Sequence, residues 1–263
     1  MTNTRQTALI TGASGGIGEE LARIFAARGF NLALVARTES KLRALGSELA
    51  HQHGVSAAVF AADLADPAAP PQLAERLAVA GVTVDVLVNN AGFATYGNFA
   101  ELDIDGELRL LQVNIVALSH LTRLLLPGMI QRGRGRILNV ASTAAFMPGP
   151  LMADYYASKA FVLSFSEALN NELSGTGVSV TVLCPGPTST GFQARAQMEQ
   201  SKLVSGRAIM DAATVARAGF EGLMRERPVV IPGLMNRIQT FLPRLLPRAF
   251  VPAIVRQAQE LAH

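Results

Sequence analysis

Short apolar runs and longer amphipathic stretches alternate along the first 185 residues of the chain. Six runs, at 6–11, 31–36, 55–62, 84–90, 135–141 and 178–184, are apolar almost without interruption. Strands covered on both faces have that pattern, whereas a half-exposed strand alternates. Between the runs, residues 17–28, 39–51, 71–80, 106–131 and 154–173 carry apolar positions three and four apart, the spacing of helices. Strand followed by helix, repeated, predicts right-handed crossovers. The expected fold is α/β, a Rossmann-type doubly wound parallel sheet of about seven strands with helices on both faces. Beyond Cys184 the pattern loosens, and Pro228, Pro232, Pro243, Pro247 and Pro252 leave room for a short strand and broken helices. No repeat or linker divides the chain. Residues 1–263 are expected to form one domain, with a core at 5–190, a substrate-side stretch at 187–227 and an extension at 228–263.

Composition narrows the function classes. Apolar residues make up 49% and charged residues 16%, enough for a large core and too little charge for extensive disorder. Lys and Arg number 23 against 20 Asp and Glu, with no dense basic block, which argues against a nucleic-acid partner. The single cysteine, Cys184, excludes an internal disulfide and sits in an apolar run, as a buried structural cysteine does. Residues 1–9 lack the apolar segment of a secretory signal. The stretch 110–130 is broken by Asn114, His120 and Arg123, which reads as a buried or interface helix rather than a transmembrane span. The expectation is a soluble, cytoplasmic protein. His51, His53, His120 and His263 form no ligand set, so no metal is expected.

Candidate chemistry begins at Thr11-Gly12-Ala13-Ser14-Gly15-Gly16-Ile17-Gly18, directly after the first strand and at the start of the first helix. Glycines there allow a tight turn and let the backbone approach a pyrophosphate, which the helix N-terminus attracts. The second run ends in Ala36-Arg37, where an NAD site would place a carboxylate for the ribose 2′-hydroxyl. A guanidinium suits a 2′-phosphate instead. Tyr155 and Lys159, four apart, share one helix face. An ammonium beside a phenol stabilises the phenolate and is expected to lower the pKa of Tyr155 towards neutrality. Tyr156 lies only three from the lysine.

Together, the glycine turn, Asn89-Asn90-Ala91-Gly92 after the fourth run, Ser142 after the fifth, the Tyr155/Lys159 pair and Pro185-Gly186 after the sixth resemble the short-chain dehydrogenase/reductase family. The likeness covers residues 5–190. It implies that Tyr155 acts as general acid, that Lys159 is its electrostatic partner and reaches the nicotinamide ribose, and that Ser142 hydrogen-bonds the substrate oxygen. Asn114 is implied to anchor a water and proton relay. On the cofactor side it implies Gly12, Ser14, Gly15, Gly16, Ile17 and Gly18 at the phosphates, Arg37 at the 2′-phosphate, and Asp63 and Leu64 at the adenine. Asn90, Ala91 and Gly92 line the dinucleotide, and Pro185, Gly186 and Thr188 face the nicotinamide carboxamide. Gly15 departs from the serine of many relatives, which removes a hydroxyl contact and leaves the turn intact.

The implied activity is NADPH-dependent hydride transfer to a ketone or aldehyde, reversible as alcohol oxidation. NAD-linked alcohol oxidation and a non-catalytic dinucleotide-binding regulator are the alternatives, and a regulator has no use for all four of Asn114, Ser142, Tyr155 and Lys159. Phe93, Tyr96, Phe146, Met147, Pro148 and Phe192 flank the expected site and imply an apolar small-molecule substrate. Relatives commonly form homodimers or homotetramers through the helices corresponding to 106–131 and 154–173. Residues 228–263 mix apolar and basic positions and are expected to fold over the active-site side or onto a partner subunit. A structural cap or a membrane-surface contact is the less favoured reading.

Overall fold

A computed structural model of the chain describes residues 5–190 and 209–259. Phe192, His263 and the part of the substrate-side stretch at 191–208 lie outside the described residues. In chain order the strands are β1 (Thr7–Thr11), β2 (Asn31–Ala36), β3 (Ala57–Ala61), β4 (Val86–Asn89), β5 (Gly135–Val140), β6 (Val178–Leu183), β7 (Thr188–Ser189), β8 (Met210–Asp211) and β9 (Val229–Val230). Seven of them form one sheet in the order β3-β2-β1-β4-β5-β6-β9, every neighbour parallel, while β7 and β8 pair separately. The helices are α1 (Gly16–Ala27), α2 (Glu39–His53), α3 (Ala69–Val79), α4 (Ile104–Leu111), α5 (Leu118–Gln131), α6 (Ala153–Glu172), α7 (Ala212–Met224), α8 (Leu234–Phe241) and α9 (Val251–Gln259).

Strand alternation explains the two cores. Ala8 and Ile10, Leu32 and Leu34, Val86 and Val88 point to one face and meet Leu21, Phe25, Leu42 and Phe220 of α1, α2 and α7. Leu9, Ala33, Val35 and Leu87 point to the other and meet Leu73, Leu77, Leu121 and Leu169 of α3, α5 and α6. Because both faces are covered, every second residue stays apolar too, which is why the runs look continuous.

β2 coincides with its apolar run at 31–36, and the other five strands are one or two residues shorter than theirs at one or both ends. The largest local departure lies in the stretch expected as one helix at 106–131. It starts at Ile104 and is interrupted by a π-helical turn at Gln112–Ala117. Ile104–Gln131 as a whole is long and apolar enough to cross a membrane by length and composition. Its Val113, Ala117, Leu121 and Met129 are packed under the sheet. All strands of the large sheet run the same way, so the segments after Thr11, Ala36, Ala61, Asn89, Val140 and Leu183 gather along one edge, where open α/β sheets bind ligands.

Candidate active site

The cleft at that edge is built around the turn after β1. Gly12 has φ +66°, and a Cβ there would lie 2.8 Å from Asn90 Nδ2. A Cβ on Gly18 would lie 2.4 Å from both Gly12 O and Asn90 Nδ2, so neither position accepts a side chain. Asn90 Nδ2 donates to Thr11 O (2.9 Å) and Gly12 O (3.3 Å). Thr11 Oγ1 accepts from the backbone N–H groups of Asn90 and Ala91 and donates to Val88 O. These bonds join the glycine turn to the loop after β4. Thr11 was not among the expected site residues; its place directly before the glycines was the signal. No atom lies within 4 Å of a Cβ on Gly15, so the serine of many relatives would fit there.

A cavity of about 700 Å³ runs from this turn across the sheet edge. Gly12, Ser14, Gly15, Gly16, Ile17, Arg37, Asp63, Leu64, Asn90, Ala91, Gly92, Ser142, Tyr155, Lys159, Pro185, Gly186 and Thr188 all line it. Gly18 and Asn114 stand behind the wall rather than in it. Lys41, two residues into α2, joins Arg37 at one end, and Arg109 lies beside Asp63 with Nη2 3.2 Å from Oδ2. Neither cation was anticipated, because each reaches the cleft from a neighbouring helix rather than from a strand end.

At the other end stand Ser142, Tyr155 and Lys159. Ser142 caps the short helical turn Thr143–Phe146, accepting from Ala144 N–H, and is hydrogen-bonded to the Tyr155 hydroxyl. Tyr155 and Lys159 face the cleft from the first turns of α6. Lys159 Nζ donates to Val140 O at 2.9 Å and sits 5.7 Å from the Tyr155 ring centroid. Asn114 lies in the π-helical turn and is buried. Its Oδ1 accepts from Phe93 N–H, and its Nδ2 donates to Phe93 O and Ser158 Oγ. A Cβ on Gly92 would be 3.0 Å from Asn114 Oδ1 and 3.4 Å from Lys159 Nζ, so this glycine keeps a narrow place beside both groups.

A short chain dehydrogenase family profile matches residues 6–201. The chain belongs to the short-chain dehydrogenase family. Among solved structures of the family, the short-chain dehydrogenase from Sphingobium yanoikuyae in complex with NADPH is 36% identical, with TM-score 0.82 over 97% of this chain and 98% of that one. The bulky-bulky ketone specific alcohol dehydrogenase from Comamonas testosteroni is 31% identical, with TM-score 0.77 over 93% of this chain and 96% of that one. A very-long-chain 3-oxoacyl-CoA reductase from Phaeosphaeria nodorum is 42% identical over 177 residues, which are 66% of this chain and 52% of the relative. The chain thus spans about half the length of that curated relative.

Electrostatics in this short-chain dehydrogenase depart from expectation at the tyrosine. Burial, the largest cause, pushes the Tyr155 hydroxyl above its ordinary value of 10.0, Ser142 draws it partly back, and Tyr156 adds to the rise. Lys159, itself stripped of water, is pushed down to about 8. Residue spacing brought the pair together correctly but carried no measure of desolvation, which penalises both charged forms. Cys184 is buried, as expected, with its thiol pushed up to about 12 chiefly by burial.

The apolar lining is also partly redrawn. Phe93, Tyr96, Met147 and Met152 pack around Tyr155 and Tyr156, joined by Val251 and Val255 of α9. Phe146 turns away, into the cluster of Val162, Val182 and Cys184 behind the site. Pro148 is exposed. Tyr96 donates its hydroxyl hydrogen bond to Gln259 O, which ties the end of α9 to the loop after β4.

Proposed function

We propose that this chain is an NADPH-dependent reductase of ketone or aldehyde carbonyls on apolar substrates. The observation that carries this reading is the hydrogen-bonded Ser142–Tyr155 pair facing the same cleft as the glycine turn. The glycine turn fits a dinucleotide, since a Cβ at Gly12 or Gly18 would clash with Asn90 and neighbouring backbone and force the turn out of this shape. Bound NADPH supplies the hydride, which leaves two tasks to the protein, holding the carbonyl and delivering a proton.

Ser142 and Tyr155 present hydroxyl donors to one point, where charge grows on the carbonyl oxygen. Burial keeps Tyr155 protonated, as an acid must be before it acts. Its O–H bond then breaks, and the proton moves to the substrate oxygen. The phenolate left behind is stabilised by the Lys159 ammonium next to it. Asn114 holds the π-helical turn against the Phe93 loop and Ser158, the arrangement in which Gly92 keeps its place beside Lys159. At the opposite end of the cleft, Arg37 and Lys41 offer two cations for a 2′-phosphate, with Ala36 in place of a carboxylate. The NADPH held by the Sphingobium relative supports this preference.

Phe93, Met152 and Tyr156 line the cavity, with Tyr96 and Met147 packed against them, and favour a bulky apolar group beside the carbonyl. The substrates in the names of the relatives, a bulky ketone and a long 3-oxoacyl thioester, fit that lining. Exposed Val116, Leu124, Ile130 and Phe161 support assembly with further copies through α5 and α6. Oxidation of NADPH, followed by absorbance with bulky aryl ketones and 3-oxoacyl thioesters, tests the reaction. For the cofactor, Arg37→Ala is expected to lower kcat/KM with NADPH about 10–100-fold, the worth of a charge-assisted bond, and with NADH far less. Equal losses with both cofactors, or a wild type that prefers NADH, overturn the assignment.

A further inference from the structure

Helix α8 is built inside out. Its polar Thr240 is buried, and Asn236 and Gln239 are half-buried, while Leu234, Met235, Ile238, Phe241 and Leu242 at its outer face and end are each 45–73% exposed. The apolar surface continues through Leu245 and Phe250 to Ile254, all more than half exposed. Residues 228–263 contain four arginines, Arg237, Arg244, Arg248 and Arg256, against a single acid, Glu260. Monomeric soluble surfaces rarely leave so many large apolar side chains of one segment exposed, and the arginines among them narrow the choice of what covers them.

We infer that this segment is a docking surface for an anionic lipid bilayer. A second copy meeting the same face about a two-fold axis would set one basic fringe against another, with four arginines and one acid in each copy's segment. An anionic interface complements both properties, apolar side chains entering the headgroup boundary and guanidinium groups reaching back to phosphates. Pro243, Pro247 and Pro252 cut the segment into pieces too short to span, so it lies along the surface. Resting on the proposed function, the placement gives the surface a purpose. Asn236 sits against Gly186, and Val251 and Val255 pack beside Tyr155 and Tyr156, so docking sets the substrate side of the cleft against the lipid phase.

Flotation of the full chain with extruded vesicles tests the surface without any turnover, so its failure is separate from failure of the proposed reaction. Vesicles of phosphatidylcholine alone are compared with vesicles that also contain phosphatidylglycerol, at physiological salt. The wild type is expected to float with the anionic vesicles and at least about tenfold less with neutral ones. Arg244→Glu with Arg248→Glu, both at exposed sites, is expected to reduce anionic binding by at least about tenfold, with an unchanged melting temperature. Phe241→Ser with Leu242→Ser is expected to weaken binding to both compositions; should that variant not fold, the charge reversal alone decides. A wild type that stays with the soluble fraction overturns the inference, as does charge reversal without effect. So does an oligomer that the Phe241/Leu242 change dissociates while no vesicle binds.

Discussion

In α1, Leu21, Ala22, Phe25 and Ala26 turn towards the sheet, and Glu19 and Arg23 stay at the surface, where Arg23 bridges to Glu48. In α8 the sides are exchanged, with Thr240 buried and Leu234, Met235 and Phe241 in solvent. Both helices are amphipathic, and periodicity alone gives them the same description. What separates them is the neighbour. α1 has a hydrophobic sheet to cover, whereas α8 rests on the rim of a cleft, beside Gly186 and the turn at Thr143–Phe146. The sheet frame therefore stores stability and positions chemistry. The C-terminal segment presents surface.

That contrast says where substitutions should matter. The largest effect is expected at Tyr155, where Phe keeps the ring and removes the proton. Reduction should fall about 10²–10⁴-fold, the usual worth of general acid catalysis, while cofactor binding by fluorescence titration stays near normal. Should Tyr156→Phe show the loss and Tyr155→Phe not, the tyrosines have been assigned the wrong way round.

Next in size is a pair that opposes the two regions directly. Leu87 is fully buried at the centre of the sheet, and Leu87→Ala is expected to cost about 2–5 kcal/mol in chemical denaturation. Phe241→Ala removes a larger side chain from α8 yet should change stability by no more than about 0.5 kcal/mol. Similar losses at the two sites would break the comparison, since they would mean that the outer face of α8 is covered in solution.

The smallest effect distinguishes a buried cation from exposed ones. Lys159 is held at about 8 in the folded protein against 10.5 as its ordinary value. Below pH 8 both states carry the proton, and the folded state bears the cost of burying it. From pH 8 upwards the unfolded chain binds more protons than the native one, so stability rises with pH. Cys184, pushed up from 9.0 to about 12, acts in the opposite sense above pH 9. The clear window is pH 8 to 9, where unfolding free energy of the cofactor-free protein should rise by up to about 1 kcal/mol. Denaturation curves across that window should lose the rise in Lys159→Met and keep it in Arg248→Gln.

The frame was legible because its signals are local. A glycine turn between strand and helix, an asparagine pair ending β4 and a tyrosine four residues from a lysine each specify a place in the chain before any packing is known. What escaped depends on neighbours distant in sequence. The π-helical turn that presents Asn114 is stabilised from Phe93 and Ser158, 21 and 44 residues away. Lys41 and Arg109 enter the cleft from helices whose pitch no motif records. Phe146 stands one residue from Met147, and the extended backbone at Met147 sends the two side chains to opposite sides of α6. The Tyr155 hydroxyl is pushed up because burial, which spacing does not measure, outweighs the hydrogen bond with Ser142.

The strand order has a consequence for the chain as it is made. β1 lies inside the sheet, yet only one of its neighbours, β2, follows directly; on the other side Leu9 pairs with Leu87 and Ile10 with Val88. At about 5–20 residues per second, ribosomal synthesis separates those partners by on the order of 4–16 s. For that interval one rim of an apolar strand is open to any other strand that meets it, the usual route to aggregation. The nascent polypeptide, rather than the finished enzyme, is then the form exposed to mispairing.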